Sequence, residues 1–365
     1  MIPLASPDIR EEDINKVVDV LRSGMLVQGT QVAAFEQSIA AYLKVPHVLA
    51  ASNGTATLHM ALVAAGVGPG DEVIVPSFSY IATANVVELV GALPVFVDID
   101  IETFCIDTAQ IEAAITPATK VIMPVHEFGL MADMLPILEI AERHNLLVIE
   151  DAACALGASD SGMIAGSAGD FGSFSLHPRK NITCGEGGVL VCKDREHAEK
   201  VSIIRNHGLS VSGGHVAFTE AGYNYRLTDI QAALANSQFE RFSKILSKRQ
   251  RLAELYLEHI KHSAVSLPVC PDGKGHTWQS FHILLDGSVN RDELIQKMRN
   301  EGIGTNLGAQ CMPYQDYYAK KYKLEVPCLF PYGLKAQQQG LVLPLYEKLS
   351  ENDIHHIVRT LEKKI

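Results

Sequence analysis

Leu147-Val148-Ile149-Glu150-Asp151-Ala152-Ala153 is an apolar run of strand-forming residues that ends in acids and passes into small side chains. A strand with no polar alternation has both faces covered, as in a parallel sheet flanked by helices. The same pattern recurs on either side. Candidate strands are His47–Ala51, Val73–Pro76, Pro94–Val97, Val121–Val125, Phe171–Leu176 and Val189–Cys192. Helical spacing of apolar residues fills the gaps at Thr57–Ala65, Ala82–Val90, Thr108–Ile115 and Leu135–His144. This alternation predicts an α/β fold with a largely parallel sheet of about seven strands. The last two strands are separated by a Gly-rich stretch and no long helix, so the sheet is expected to be mixed.

Beyond Gly222 the pattern changes. Leu227–Ile260 has helical periodicity with mixed charges and predicts one long or bent connecting helix. A smaller α+β unit is expected after it, with strands at Trp278–Leu285 and Leu341–Leu345 and helices at Arg291–Asn300 and Glu351–Lys363. The chain divides on this reading into a large domain over 1–225, a connecting helix over 226–262 and a small C-terminal domain over 263–365.

Composition excludes several functions. The 365 residues are 47% hydrophobic and 20% charged, enough apolar material for a sizeable core. With 31 Lys+Arg against 42 Asp+Glu the formal charge is -11, which argues against a broad nucleic-acid surface. The seven cysteines form no CxxC pair, and no signal peptide precedes them, so they read as reduced thiols in a cytoplasmic protein. Ala56–Val67, among the longest apolar stretches, is broken by His59 and Gly66, and no membrane span is expected. Gly66-Val67-Gly68-Pro69-Gly70 precedes a strand, whereas a dinucleotide fingerprint follows one. P-loop, zincin and nucleophile-elbow patterns are missing, the histidines are scattered, and no metal site is expected.

The chemistry concentrates in Gly172-Ser173-Phe174-Ser175-Leu176-His177-Pro178-Arg179-Lys180-Asn181-Ile182-Thr183-Cys184-Gly185-Glu186-Gly187-Gly188. A lysine at the mouth of a sheet, backed by glycines that admit a bulky group, suits a Schiff-base amine; the competing reading is an exposed loop lysine. Asp151 ends a strand where α/β folds bind ligands, and can pair with a protonated ring nitrogen. Its competing reading is the N-cap of a following helix. Ala50–Leu58 joins a strand to a helix start through small residues, either an anion cradle or an ordinary capped turn. Tyr80, in Pro76-Ser77-Phe78-Ser79-Tyr80, can lie over a flat ring or pack in the core.

In order and spacing, SNGTATLHMAL, VPSFSYIATAN, FVDID, EDAACALGA, GDFGSFSLHPRKNITCGEGG and GYNYRLTDIQAAL resemble the DegT/DnrJ/EryC1/StrS family of sugar aminotransferases. The resemblance spans Ile2-Pro3-Leu4 to Leu343-Pro344-Leu345-Tyr346. It implies the type I, aspartate-aminotransferase fold and pyridoxal 5'-phosphate as cofactor. By the same resemblance Lys180 is the lysine that carries the cofactor as a Schiff base and shuttles the proton, and Asp151 is the pyridinium partner. Tyr80 stacks on the ring, Gly54, Thr55 and Ser175 hold the phosphate, and Asn224 reaches the cofactor phosphate of a neighbouring subunit in a homodimer. The implied reaction is ping-pong transamination, with L-glutamate as donor and a nucleotide-linked keto sugar as acceptor.

Two departures stand out. Cys154 takes a position near the cofactor ring where the family often has Gln or His, and a thiol is a weaker hydrogen-bond partner. After Glu301-Gly302-Ile303-Gly304-Thr305 the chain reads Asn306-Leu307-Gly308-Ala309-Gln310-Cys311 where many members continue with His and Pro, in a segment expected at the sugar. The HPRKNIT–GEGG and GYNYR forms resemble members that aminate C4 of a 4-keto-6-deoxy sugar more than 3-keto specialists. Rival readings are a pyridoxamine-dependent sugar dehydratase, whose lysine is replaced by histidine, and a non-catalytic regulator. Arg179, Arg226, Lys320 and Lys321 are candidates for the sugar diphosphate.

Overall fold

The computed structural model describes residues 1–212 and 214–365. Its centre is a seven-stranded sheet built from β1 (His47–Ala51), β2 (Glu72–Pro76), β3 (Leu93–Val97), β4 (Thr119–Ile122), β5 (Leu147–Asp151), β6 (Phe171–Ser175) and β7 (Gly188–Cys192). The order across the sheet is β1-β7-β6-β5-β4-β2-β3. Neighbours from β3 through β6 pair parallel, and β7 runs antiparallel to both β6 and β1. All seven strands lie where the apolar runs placed them, within two residues at their starts, and the sheet is mixed for the expected reason. β6 and β7 are joined by the Gly-rich loop that carries Lys180, not by a crossover helix.

Successive side chains in these strands enter opposite cores. In β2, Val73 and Val75 face one apolar cluster and Ile74 the other; in β7, Leu190 opposes Val189 and Val191 in the same way. One face is covered by α2 (Thr30–Leu43), α5 (Met134–His144) and α7 (Asp229–Phe239). The other is covered by α3 (Gly54–Ala64), α4 (Ala82–Leu89) and α6 (Arg195–Arg205). Burial on both sides is what makes the strand sequences apolar throughout. Helix α1 (Glu11–Ser23) packs on α7, and the carboxylate of Asp229 accepts N–H bonds from Gly29, Gln31 and Val32 at the start of α2. This remote cap explains why α2 begins after a glycine that offers no cap of its own.

The segment expected as one long or bent connecting helix is two helices. Thr228 opens α7 with a capping box to Gln231, but the chain breaks at Glu240–Arg241 and restarts as α8 (Phe242–His259). Arg241 leaves helical geometry while its guanidinium reaches Asp13, which is fully buried, at 2.7 Å. Periodicity alone cannot see that distant carboxylate.

Beyond α8 lies a three-stranded antiparallel sheet, β8 (Val265–Ser266), β9 (Phe281–Leu285) and β10 (Gly340–Leu343), packed by α9 (Arg291–Asn300) and α11 (Glu351–Lys364); α10 (Pro331–Gln339) leads into β10. The strand expected from Trp278 starts only at Phe281, because Trp278 sits at φ 52° and cannot continue an extended chain. The other three elements of this unit match their expected spans within two residues. Among the described residues, no helix is long and apolar enough to cross a membrane.

Candidate active site

β4, β5 and β6 are adjacent and parallel, so their carboxyl ends lie side by side at one edge of the sheet. Asp151 is the last residue of β5, is 4% exposed, and is followed by turns and no helix, so it is not an N-cap. Its Oδ2 accepts from Thr83 Oγ1 at 2.8 Å and its Oδ1 from the Ala153 N–H at 3.2 Å. Burial pushes its pKa up, against the pull of Thr83, the Ala153 N–H, Lys180 and His126. The preceding residue on β5, Glu150, points to the other face. It accepts from His126 Nε2 at 2.7 Å and from the N–H groups of Gly166, Ala168 and Gly169. His126 Nδ1 accepts the Ala132 N–H at 3.1 Å, which leaves the ring proton on Nε2 for Glu150. These bonds brace the floor beneath Asp151.

Lys180 is carried by the excursion between β6 and β7, closed at its base by the Leu176 N–H to the Gly187 carbonyl at 2.8 Å. Gln238 pins the loop through both the N–H and the carbonyl of Thr183, and Gln279 Nε2 donates to the Arg179 carbonyl at 2.6 Å. So held, the half-buried Lys180 places Nζ 3.0 Å from Cys154 Sγ. The exposed-loop reading fails for Lys180 and holds for its neighbour Arg179.

The third component is the N-terminus of α3. Asn53 caps it by accepting the Ala56 N–H at 2.8 Å, and the Asn53 carbonyl takes the Thr57 N–H. The N–H groups of Gly54 and Thr55 have no acceptor among the described residues. A Cβ on Gly54 would come within 3.0 Å of Ser175 Cβ, and one on Gly188 within 2.5 Å of the Asn53 carbonyl. The glycines let the strand ends and the helix start close on each other, leaving two free donors beside the Ser175 hydroxyl, the arrangement that binds a phosphate. A lysine amine, a buried carboxylate at a strand end and an anion cradle fit pyridoxal phosphate in its aldehyde, ring nitrogen and phosphate.

The remaining expected residues are placed as follows. Tyr80 is 66% exposed at the entrance to α4 and is not a core residue. Asn224 is exposed between Tyr223 and Tyr225, whose rings stack with centroids 4.8 Å apart against His59. The Ser52 N–H donates to the Tyr225 carbonyl at 2.8 Å, which ties this segment to the phosphate loop. Arg226 is hydrogen-bonded to Asn206, and Lys320 and Lys321 pair with Asp316 and Glu88, so of the four diphosphate candidates Arg179 is the one whose guanidinium has no partner among the described residues. Sequence reading missed Thr83 and Glu127. Thr83 lies in the first turn of α4 and Ser79 in the extended segment before it, so helical spacing does not pair their hydroxyls, which meet at 3.1 Å through the turn between.

Fold and site define a pyridoxal-phosphate-dependent transferase, with the cofactor cradle on one sheet edge. The chain belongs to the DegT/DnrJ/EryC1/StrS aminotransferase family, whose profile matches residues 7–362. It is 40% identical to a GDP-perosamine synthase of Caulobacter vibrioides over 99% of this chain and 98% of that one. It is 39% identical to a pleiotropic regulatory protein of Geobacillus stearothermophilus, over 96% and 93% of the two chains. A Streptococcus pneumoniae protein assigned as a sugar aminotransferase superposes in its PMP form with a TM-score of 0.95 at 29% identity, covering 100% of this chain and 99% of that one.

Proposed function

We propose that this enzyme moves an amino group from L-glutamate to the keto carbon of a nucleotide-linked 4-keto-6-deoxy sugar, for surface-polysaccharide synthesis in the cytoplasm. The observation that carries the reading is that Lys180, Asp151 and the free N–H groups of α3 all lie at the carboxyl ends of strands of one sheet, β6, β5 and β1. Pyridoxal phosphate, when bound, supplies the electron sink that lets a C–H bond next to nitrogen break. Lys180 holds the cofactor covalently and, once free, takes and returns a proton at Nζ. Asp151 holds the proton on the ring nitrogen through its carboxylate. Gly54, Thr55 and Ser175 bind the phosphate, Tyr80 covers the ring, and Cys154 faces the same space.

Asn224 completes the phosphate site of a second copy, so the working unit is a homodimer. Its exposure between two inward-packed tyrosines supports this role. The division at about 225 and 262 belongs to the same reading and is supported by the separate apolar cluster built on α8, β9 and β10. The 4-keto preference draws support from the GDP-perosamine synthase relative. The regulatory relative makes the non-catalytic rival worth testing, although Lys180 and Asp151 are both in place here.

Incubation with glutamate and either a 3-keto or a 4-keto nucleotide sugar, read by mass spectrometry, decides among these. A stable aminated 4-keto product is expected. Exclusive turnover of the 3-keto compound overturns the sugar assignment, release of water and ammonia points to a dehydratase, and absence of any turnover supports the regulator. Borohydride reduction of the holoprotein should leave the cofactor on Lys180.

A further inference from the structure

Cys154 lies in the turn after β5, and its Sγ accepts a hydrogen bond from Lys180 Nζ at 3.0 Å. Among the described residues no other cysteine sulfur is hydrogen-bonded to an amine. The two groups are held toward each other by one stretch of chain. The Cys154 carbonyl accepts from Thr277 Oγ1 at 3.4 Å, and Gln279 pins the loop of Lys180 at the Arg179 carbonyl. Thr277 and Gln279 are both buried, just ahead of β9. Cys154 keeps part of its surface open to solvent, whereas Cys105, Cys184, Cys192 and Cys311 are buried. The transamination proposed above makes no use of the sulfur.

A thiol beside a primary amine has a chemistry that neither group has alone. A hydroperoxide oxidises a cysteine sulfur to a sulfenic acid, and a neighbouring nitrogen can then displace the hydroxyl to form an S–N bond. Burial pushes the Cys154 thiol pKa up, so the sulfur rests as the thiol and needs a base to react. Nζ, when it lacks its own extra proton, is in contact with Sγ and is that base. In the first step the sulfur gives an electron pair to the peroxide and the O–O bond breaks. One oxygen stays on sulfur, and the other leaves as an alcohol or water with the former Sγ proton. In the second step Nζ attacks sulfur, the S–O bond breaks, and water leaves with a proton from the amine. The flexible four-carbon stem of Lys180 lets Nζ close the last stretch to the sulfur.

We propose that Cys154 and Lys180 form a redox modification site: a hydroperoxide joins Sγ to Nζ as a sulfenamide, which withdraws the amine from the reaction until two thiols, themselves oxidised to a disulfide, reduce the bond. Its dependence on the state of the enzyme rests on the reading of Lys180 as the residue that carries the cofactor. While the cofactor occupies Nζ, the nitrogen cannot bond to sulfur. Once the donor has left its amino group, Lys180 is free and the pair is open to oxidation. An enzyme supplied with donor and starved of acceptor is therefore the sensitive one.

The test is mass spectrometry of the full chain after treatment with hydrogen peroxide, first without cofactor. A joined pair of peptides carrying residues 154 and 180, lighter than their sum by two hydrogens, is expected. Dithiothreitol should return both peptides unmodified. Cys154→Ala should give no joined pair. Reductive dimethylation of the lysines beforehand should abolish it in the natural chain, a control that stands whether or not Cys154→Ala folds. In the holoprotein the joined pair should be missing, appear when glutamate alone is added, and be lost again with 2-oxoglutarate, which reverses the donor step. Cys154 found untouched, or only as sulfenic, sulfinic or sulfonic acid beside a free Lys180, overturns the proposal. A joined pair in the cofactor-free chain that glutamate does not bring back in the holoprotein overturns the state dependence. Failure of borohydride to label Lys180 sinks the cofactor reading and leaves the bridge of the cofactor-free chain untouched.

Discussion

The amine of Lys180 rests 3.0 Å from the sulfur of Cys154, three residues beyond Asp151. Burial pushes the Cys154 thiol pKa up, against the pull of Lys180, so the sulfur remains a thiol at neutral pH. A thiol sulfur is a weak acceptor, and the contact steers the amine without trapping it as an ion pair. A carboxylate there would hold the lysine protonated and oppose its use as a nucleophile.

Cys154→Ala is therefore expected to lower kcat/KM by less than about tenfold, since it removes one weak hydrogen bond. Steady-state rates with glutamate measure this. A loss of several hundredfold means that the thiol does more than guide the amine.

Thr83→Val keeps the shape of the side chain and removes the hydroxyl that Asp151 Oδ2 accepts from. A hydrogen bond to a charged, buried carboxylate contributes about 1.5–3 kcal/mol, so kcat/KM should fall by about 10- to 100-fold. Asp151→Asn, which removes the charge itself, should cost more. If Thr83→Val matches the natural enzyme, Asp151 is held by its other contacts and the Thr83 hydroxyl has no role.

Gly188→Ala places a methyl carbon 2.5 Å from the Asn53 carbonyl carbon and oxygen and 2.8 Å from the Gly54 nitrogen. These are backbone atoms and cannot swing aside, so the start of α3 must move away from β7. Equilibrium titration with pyridoxal phosphate should show at least about tenfold weaker binding, because the displaced N–H groups are the phosphate donors. Gly185→Ala is the control for substitution itself: its Cβ meets nothing within 4 Å, although φ is +85°. Its main cost should be stability.

The parts of this site that local sequence reveals are those whose chemistry and position coincide. Asp151 ends an apolar strand, and Lys180 and the glycines around it occupy the loop that joins the antiparallel neighbours β6 and β7 without a crossover helix. The anion cradle follows from small residues before a helix. What stayed hidden depends on distant partners. Glu127 is buried, and the fold brings the charges of Lys180 and Asp151 to it from later in the chain. The break at Arg241 needs Asp13, and the start of α2 needs Asp229, more than two hundred and about two hundred residues away. Local periodicity carries none of that information.

The pH dependence of stability should have two limbs with separate owners. His282 is buried against Phe128 and the half-buried His276 stacks on Trp278, and desolvation holds both pKa values down at about 3. Above the unfolded value of about 6.5 they are neutral in both states and cost nothing. As pH falls from there toward 3, the unfolded chain binds protons that the folded one refuses, and stability drops by up to about 1.4 kcal/mol per pH unit for each. Glu127 acts in the opposite sense. Its folded pKa is raised to about 8, so between the ordinary carboxyl value and 8 the folded state holds a proton that the unfolded state has lost. Stability from this group falls as pH rises across that range. Thermal unfolding of the intact chain from pH 4 to 9 should show His282→Leu flattening the acid limb and Glu127→Gln flattening the alkaline one. An acid limb unchanged in His282→Leu would mean that the ring is reached by water or finds a proton acceptor in the folded protein.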